Sequence, residues 1–235
     1  MNPDHRLLSW LDFGPPPPPG GAEERPPRVP EQQVRVYHCT PHAAPAPAAA
    51  RVTAAPSPFP SEHEQAAHEL DLAIALVLNS PEAGRSLRLL ADEDRIHPEG
   101  ALVFACLLAL TDRGEAAQFW WQFAAGSGSP TAAYLLHLHH LRLGEPRDAA
   151  YWRSQSEALA GAPRRRPVRP GPTAPLLPDE VRHEILARCH EGLGARLPLA
   201  AEAALNRLTV VAVDEDFGEI PQPSTALTDQ LAAAD

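Results

Sequence analysis

The sequence predicts an all-α protein built from antiparallel helical hairpins. First, apolar residues recur at helical spacing between residues 61 and 161. Second, five segments that are typical of helix starts follow one another every 16 or 17 residues. Third, the longest apolar run, residues 101–110, is about half the length that a membrane span requires and suits one buried helix. Six short helices with tight connections must pack as hairpins, so we expect a three-hairpin array over residues 61–161.

The first helix is expected to begin at Ser61, because a serine cap is followed by glutamates and an apolar stripe. The five later starts are SPEAG at 80, HPEGA at 97, RGEAA at 113, SPTAA at 129 and EPRDA at 145. Four of the five place a proline in the first turn, where its missing N–H costs nothing. The run LVFACLLAL, residues 102–110, is apolar on every side, which predicts the central and fully covered helix.

Two adjacent tryptophans stand in the segment QFWWQFAAGSG, residues 118–128. Trp120 shares a helix face with Phe119 and Phe123, whereas Trp121 points about 100° away. Two interpretations follow. Both faces are core, which we favour, or Trp121 lies on a concave surface and anchors a bound partner.

Residues 115–161 carry alanines around an aromatic pair, a glycine break, a second alanine-rich helix and a Leu-Gly pair. The pattern then recurs about 33 residues later. The positions that carry it are Ala117, Phe119, Trp120, Ala124, Ala125, Gly128, Ala132, Ala133, Leu135, Leu143, Gly144, Ala150 and Trp152. This segment resembles Sel1-like and tetratricopeptide repeats, although the longer insert of Sel1-like repeats is missing. The resemblance implies binding of a protein or peptide on the array surface. Our candidate contact residues are Trp121, Tyr134, His137, Trp152 and Arg153.

The first 60 residues are expected to form a disordered tail. Fourteen of the 28 prolines lie between residues 15 and 60, where helices and sheet ladders cannot propagate. A short apolar motif, residues 5–13, precedes them and either docks on a partner or folds back on the main domain. The segment YHCTPH offers His38, Cys39 and His42, which lack the fourth ligand and folded frame of a structural metal site.

The C-terminal third divides into three expected parts. Residues 162–176 form an Arg/Pro-rich linker. Its arginines either contact phosphates or remain solvated, and they are Arg164, Arg165, Arg166 and Arg169. Residues 177–213 form a small helical unit in which TVVAV, residues 209–213, continues a helix or forms a strand. The acidic residues 214–235 are expected to be disordered.

No motif in the sequence indicates catalysis. The segment LLHLHHL places His137 and His140 on one helix face and His139 on the other side, with Glu145 beyond the turn. Such a pair lacks further ligands on its own helix, so we expect partly exposed histidines and no metal. Phosphate-binding loops, nucleophile elbows and zinc-protease motifs are absent from the sequence. We therefore expect no enzyme and no cofactor.

Composition narrows the function further. The net charge of −10 argues against general binding to nucleic acid or anionic membranes. All 20 basic residues are arginine, which suggests a GC-rich, bacterial coding sequence. Three separated cysteines and the lack of a secretory signal favour the cytoplasm. We expect a non-catalytic scaffold or regulatory adaptor that binds a protein or peptide. The alternatives are a DNA-binding regulator that uses residues 164–208 and, third, a metal-dependent enzyme.

Overall fold

The computed structural model describes residues 61–92, 97–162, 175–214 and 216–234. Within these ranges, most residues are helical and two strands form one small antiparallel sheet. The elements are α1 (Glu62–Leu78), α2 (Ala83–Asp92), α3 (Pro98–Ala109), α4 (Gly114–Gly126), α5 (Pro130–Leu143), α6 (Pro146–Gly161), α7 (Asp179–His190), α8 (Leu199–Asn206), β1 (Val210–Asp214), β2 (Gly218–Pro221) and α9 (Leu227–Ala232). The predictions for residues 1–60 and for the arginines of the linker lie outside the described residues.

The predicted helix starts are confirmed to within three residues, with α2 beginning at Ala83, and side-chain caps mark three of them. The Ser61 hydroxyl accepts from the Glu64 N–H at 3.2 Å, and the Ser129 hydroxyl accepts from the Ala132 N–H at 3.4 Å. His97 caps α3 by accepting from the Gly100 N–H at 3.3 Å. Prolines occupy the first turns of α3, α5 and α6, where the chain needs no intrahelical donor.

Helix α3 is the centre of the core, as its composition predicts. Every residue from Gly100 to Leu108 is buried, and α3 packs against α1, α2 and α4. The contact with α2 is especially close at Gly100, where an added Cβ would lie 2.3 Å from the Ser86 carbonyl oxygen and 2.7 Å from Leu90 Cβ. The two backbones approach this closely because Gly100 has no side chain.

Helix α1 does not form the expected first hairpin with α2. It packs mainly against α5 and makes further contacts with α3 and α7. Its buried stripe consists of Ala66, Leu70, Ile74, Ala75 and Leu78. Helices that lie far along the chain cover this stripe, so α1 packs across α3 and α5.

Residues 216–234 carry regular secondary structure, so the prediction of a disordered acidic tail over residues 214–235 is wrong for this part of the chain. Strand β1 pairs antiparallel with β2, and α9 follows. Buried apolar side chains anchor this segment despite its acidic composition, and they are Ile220, Leu227, Leu231 and Ala234. Residues 209–213 therefore belong mainly to a strand and do not continue helix α8.

The C-terminal elements also do not form the separate unit that we expected over residues 177–213. Helix α7 packs on α1, β2 packs on α4, and α9 packs on both α8 and α2. The Ala195 N–H donates to the Asp71 carboxylate of α1 at 3.3 Å, and Arg88 of α2 pairs with Asp229 of α9 at 3.3 Å. All described residues accordingly belong to one unit. Among them, no helix has both the length and the apolar character that crossing a membrane requires.

Candidate binding surface

Both adjacent tryptophans are core residues. Trp120 is 3% exposed and Trp121 is 0% exposed, because α4 is covered on two sides. The Trp120 ring packs edge-on against Phe104 at 5.3 Å, and its Nε1–H donates to the Pro221 carbonyl of β2 at 3.3 Å. The Trp121 ring faces the other way and meets the His139 ring of α5 at 5.7 Å. Trp121 therefore cannot contact a partner, which corrects its assignment as a surface residue.

The surroundings of Trp121 are buried. Burial raises the pKa of the neighbouring Cys106 thiol to about 12, although the Trp121 indole opposes this rise. The indole N–H itself has no hydrogen-bond partner of normal geometry among the described residues. Burial also lowers the pKa of His139 to about 4, and the positive charge of Arg142 adds to this effect. His139 is therefore neutral at pH 7, and its Nδ1 accepts a hydrogen bond from Arg142 at 3.2 Å.

The other four predicted contact residues lie on the hairpin formed by α5 and α6. Gly144 ends α5 in the left-handed conformation, with φ 75°, and thereby turns the chain back into α6. Two hydrogen bonds then fix the two helices side by side. His137 Nδ1 donates to the Ala149 carbonyl at 2.8 Å, and the Ser156 hydroxyl donates to the Pro130 carbonyl at 3.0 Å.

We call Tyr134, His137, Trp152 and Arg153 the hairpin face. Tyr134 is 42% exposed, whereas His137 and Trp152 are half-buried. Arg153 is exposed and pairs with Glu157 at 3.2 Å. Tyr134 and His137 are one turn apart and their rings lie 5.9 Å apart. The structure thus brings aromatic, imidazole and guanidinium groups together along one hairpin.

Among the helices α1 to α6, α6 is the least buried. Along its 16 residues, Ala149 is the single residue that is buried, and α5 is the helix on which α6 mainly packs. Tyr151, which is not among the predicted contact residues, is 41% exposed, and its ring lies 5.1 Å from Trp152. Its signal was available, since neighbouring aromatic residues on a helix cannot both face the same partner helix.

The two histidines of the predicted pair have different hydrogen-bond partners in the structure. His137 is held by the Ala149 carbonyl, whereas the buried His140 donates from Nδ1 to the Glu145 carboxylate at 2.7 Å. His139 and His140 are both buried, contrary to the expectation of partly exposed helix histidines. Histidines in this helix are covered because α5 has α1, α4 and α6 around it.

The surface of α7 and α8, which the DNA-binding alternative requires, carries mixed charge. Residues 179–208 contain five acidic residues and four arginines. The two helices also pack on different elements, α7 on α1 and α8 on α9. Between them lies an open groove of about 360 Å³ whose charged lining residues are Glu184, Arg188, Arg196 and Glu202. On their own, α7 and α8 lack the excess of positive charge that phosphate binding favours, so this alternative depends on Arg164, Arg165, Arg166 and Arg169.

The described part of the chain is therefore a mainly helical protein whose α5–α6 hairpin exposes aromatic side chains. Comparison with protein-family models, with characterised proteins and with solved structures finds no match to this chain.

Proposed function

We propose that this protein is a non-catalytic scaffold or adaptor that binds a protein or peptide partner through the hairpin face. One observation carries the proposal. Among the described tyrosine, tryptophan and phenylalanine side chains, two are exposed: Tyr134 of the hairpin face and Tyr151, whose ring contacts Trp152 of that face. Elsewhere the described aromatic residues are buried or partly covered by neighbouring elements.

The chemistry of this surface suits macromolecular recognition. Tyrosine, tryptophan and arginine are enriched at the energetic centres of protein interfaces because each offers a large contact area together with a polar group. The hairpin face presents all three types, and His137 adds a polar group whose position is fixed by its bond to Ala149. Ordered side chains of this kind lose little entropy on binding.

We further propose that residues 98–161 are organised like the Sel1-like and tetratricopeptide repeats that they resemble. Consecutive helices α3 to α6 pack in chain order, which is the contact pattern of such arrays. Helix α1 departs from the pattern because it contacts α5 and α3 and covers one side of the layer. The surface left for a partner in this arrangement is the outer side of the last hairpin.

The test is affinity capture from the native cell with the full chain and two matched variants. The first variant combines Tyr134→Ala and Arg153→Ala, which removes exposed groups of the hairpin face without opening the core. The control is Leu76→Ala on α1, an apolar side chain that is 59% exposed and belongs to a helix outside this hairpin. Circular dichroism must show that both variants are folded.

We expect the wild-type protein and the Leu76→Ala control to retain the same partner, and the double variant to lose it. With the purified partner, the double variant should weaken binding at least tenfold, because truncating interface centres costs about 2 kcal/mol or more. Equal affinity of all three proteins for every captured partner would refute the assignment of the hairpin face.

A further inference from the structure

Three potential metal ligands meet where α5 turns into α6. His140 lies in the last turn of α5, Glu145 directly precedes α6, and Asp148 lies in the first turn of α6. One ligand atom from each side chain lies within 4.8 Å of those of the other two. The left-handed conformation of Gly144 creates this convergence, because it folds the start of α6 back over the end of α5.

The three groups differ in burial and in their partners. The His140 side chain is 8% exposed and donates from Nδ1 to Glu145, but its buried Nε2 has no hydrogen-bond partner among the described residues. Asp148 is exposed and makes no ion pair or hydrogen bond within the described part of the chain. Two carboxylates are thus held beside one imidazole, with a single hydrogen bond between the three groups.

We propose that His140, Glu145 and Asp148 bind one divalent transition-metal cation of the Zn²⁺ type. One neutral imidazole and two carboxylates carry two negative charges, which a divalent cation neutralises. Zinc binds these nitrogen and oxygen donors at roughly 2.0–2.2 Å, so its ligand atoms are separated by about 3–4 Å. The three ligand atoms lie within 4.8 Å of one another, so small side-chain rotations bring them to this spacing. The 2.7 Å pair formed by His140 and Glu145 opens slightly when the metal binds Nδ1, and the neutral imidazole then carries its one proton on Nε2.

The site has three protein ligands, and water completes its coordination because Glu145 and Asp148 are exposed. His137 is not one of the three residues whose ligand atoms converge. This site therefore differs from one formed by His137 and His140, which share a face of α5. The cation joins the end of α5 to the start of α6, and this site does not depend on the proposed binding of a protein partner.

The experiment is a titration of the metal-free full chain with Co²⁺, followed by visible absorption, and with Zn²⁺, followed by thermal unfolding. Asp148→Asn is the decisive variant, because this side chain makes no described contact that the substitution would remove. Glu145→Gln is the second, since its amide oxygen still accepts from His140. His183→Gln on α7, an exposed histidine outside this cluster, is the control. A variant with His38→Gln, Cys39→Ser and His42→Gln removes the other histidine and cysteine cluster of the sequence.

We expect one Co²⁺ per chain, with the absorption of a low-symmetry site, and a rise in Tm with Zn²⁺. Asp148→Asn and Glu145→Gln should each weaken binding at least tenfold and remove the rise in Tm, whereas both controls should bind as the wild type does. Unchanged affinity in Asp148→Asn and Glu145→Gln would overturn the proposal. So would loss of binding in the His38, Cys39 and His42 variant, or absence of binding by the wild type.

Discussion

Replacing Gly100 by alanine tests the closest helix–helix contact in the core. In the interior of an exposed helix this change would stabilise the protein by about 0.5–1 kcal/mol, because glycine is a poor helix former. At Gly100 the new Cβ would instead lie 2.3 Å from the Ser86 carbonyl oxygen. A backbone oxygen cannot rotate away, so α2 and α3 must move apart, and such overpacking costs about 1–3 kcal/mol. We therefore expect a net loss of about 1–2 kcal/mol in the free energy of unfolding.

Urea denaturation followed by circular dichroism measures this loss, and thermal unfolding should show a decrease in Tm of roughly 2–4 °C per kcal/mol for a chain of this size. The matched control is Gly126→Ala at the end of α4, where an added Cβ has no neighbour within 4 Å. This control should leave the stability unchanged or slightly raised. Wild-type stability of Gly100→Ala, with the control behaving as expected, would refute the close packing of α2 on α3.

Three further predictions concern the core between α3, α4 and α5. Trp121→Ala should destabilise the protein by about 3–5 kcal/mol in urea denaturation, because it removes a fully buried ring. Acid should destabilise the protein between about pH 6.5 and pH 4: the pKa of His139 is about 4 in the folded state, so over this range the unfolded chain binds more protons. Stability measured against pH should therefore fall less steeply in His139→Gln than in the wild type. Cys106, whose pKa is about 12, should react with a thiol reagent in a Cys39→Ser background only as fast as the protein unfolds.

Each of these predictions has a contradicting result. Full stability of Trp121→Ala would place that ring outside the core. A pH profile of the wild type that matches the profile of His139→Gln would show that the histidine does not titrate differently on folding. Rapid modification of Cys106 in the folded protein, identified by peptide mass, would mean that solvent reaches the interior beside Trp121.

Local signals in the sequence predicted the helices well. Proline and serine or histidine caps specify the starts of α3 and α5, and these effects act within one helical turn. The position of α1 was not predictable in the same way. Its apolar stripe shows that one face is buried but does not identify the covering helix, and the regular spacing of the starts suggested α2 instead of α5. The acidic charge of residues 214–235 likewise concealed a small number of apolar anchors, among them Ile220 and Leu231.

The candidate surface was predicted in part. Tyr134, His137, Trp152 and Arg153 were assigned to one surface from the repeat resemblance, and the structure places all four on the α5–α6 hairpin. Trp121 was wrongly included, because which side of α4 is covered depends on the packing of α5 and on residues about a hundred positions away. The meeting of His140 with Asp148 depends on the conformation of Gly144, which sequence spacing does not reveal.

The bond from Trp120 to Pro221 joins residues 101 positions apart, and the pair formed by Arg88 and Asp229 spans 141 positions. In a linear repeat protein each unit is completed by its nearest neighbours, and folding can spread from either end. Here α2 gains its contact with α9 only after the last described helix has been synthesised. A nascent chain that ends before β2 therefore leaves the Trp120 side of α4 open to water, and its proteolysis should decrease once β2 has been synthesised.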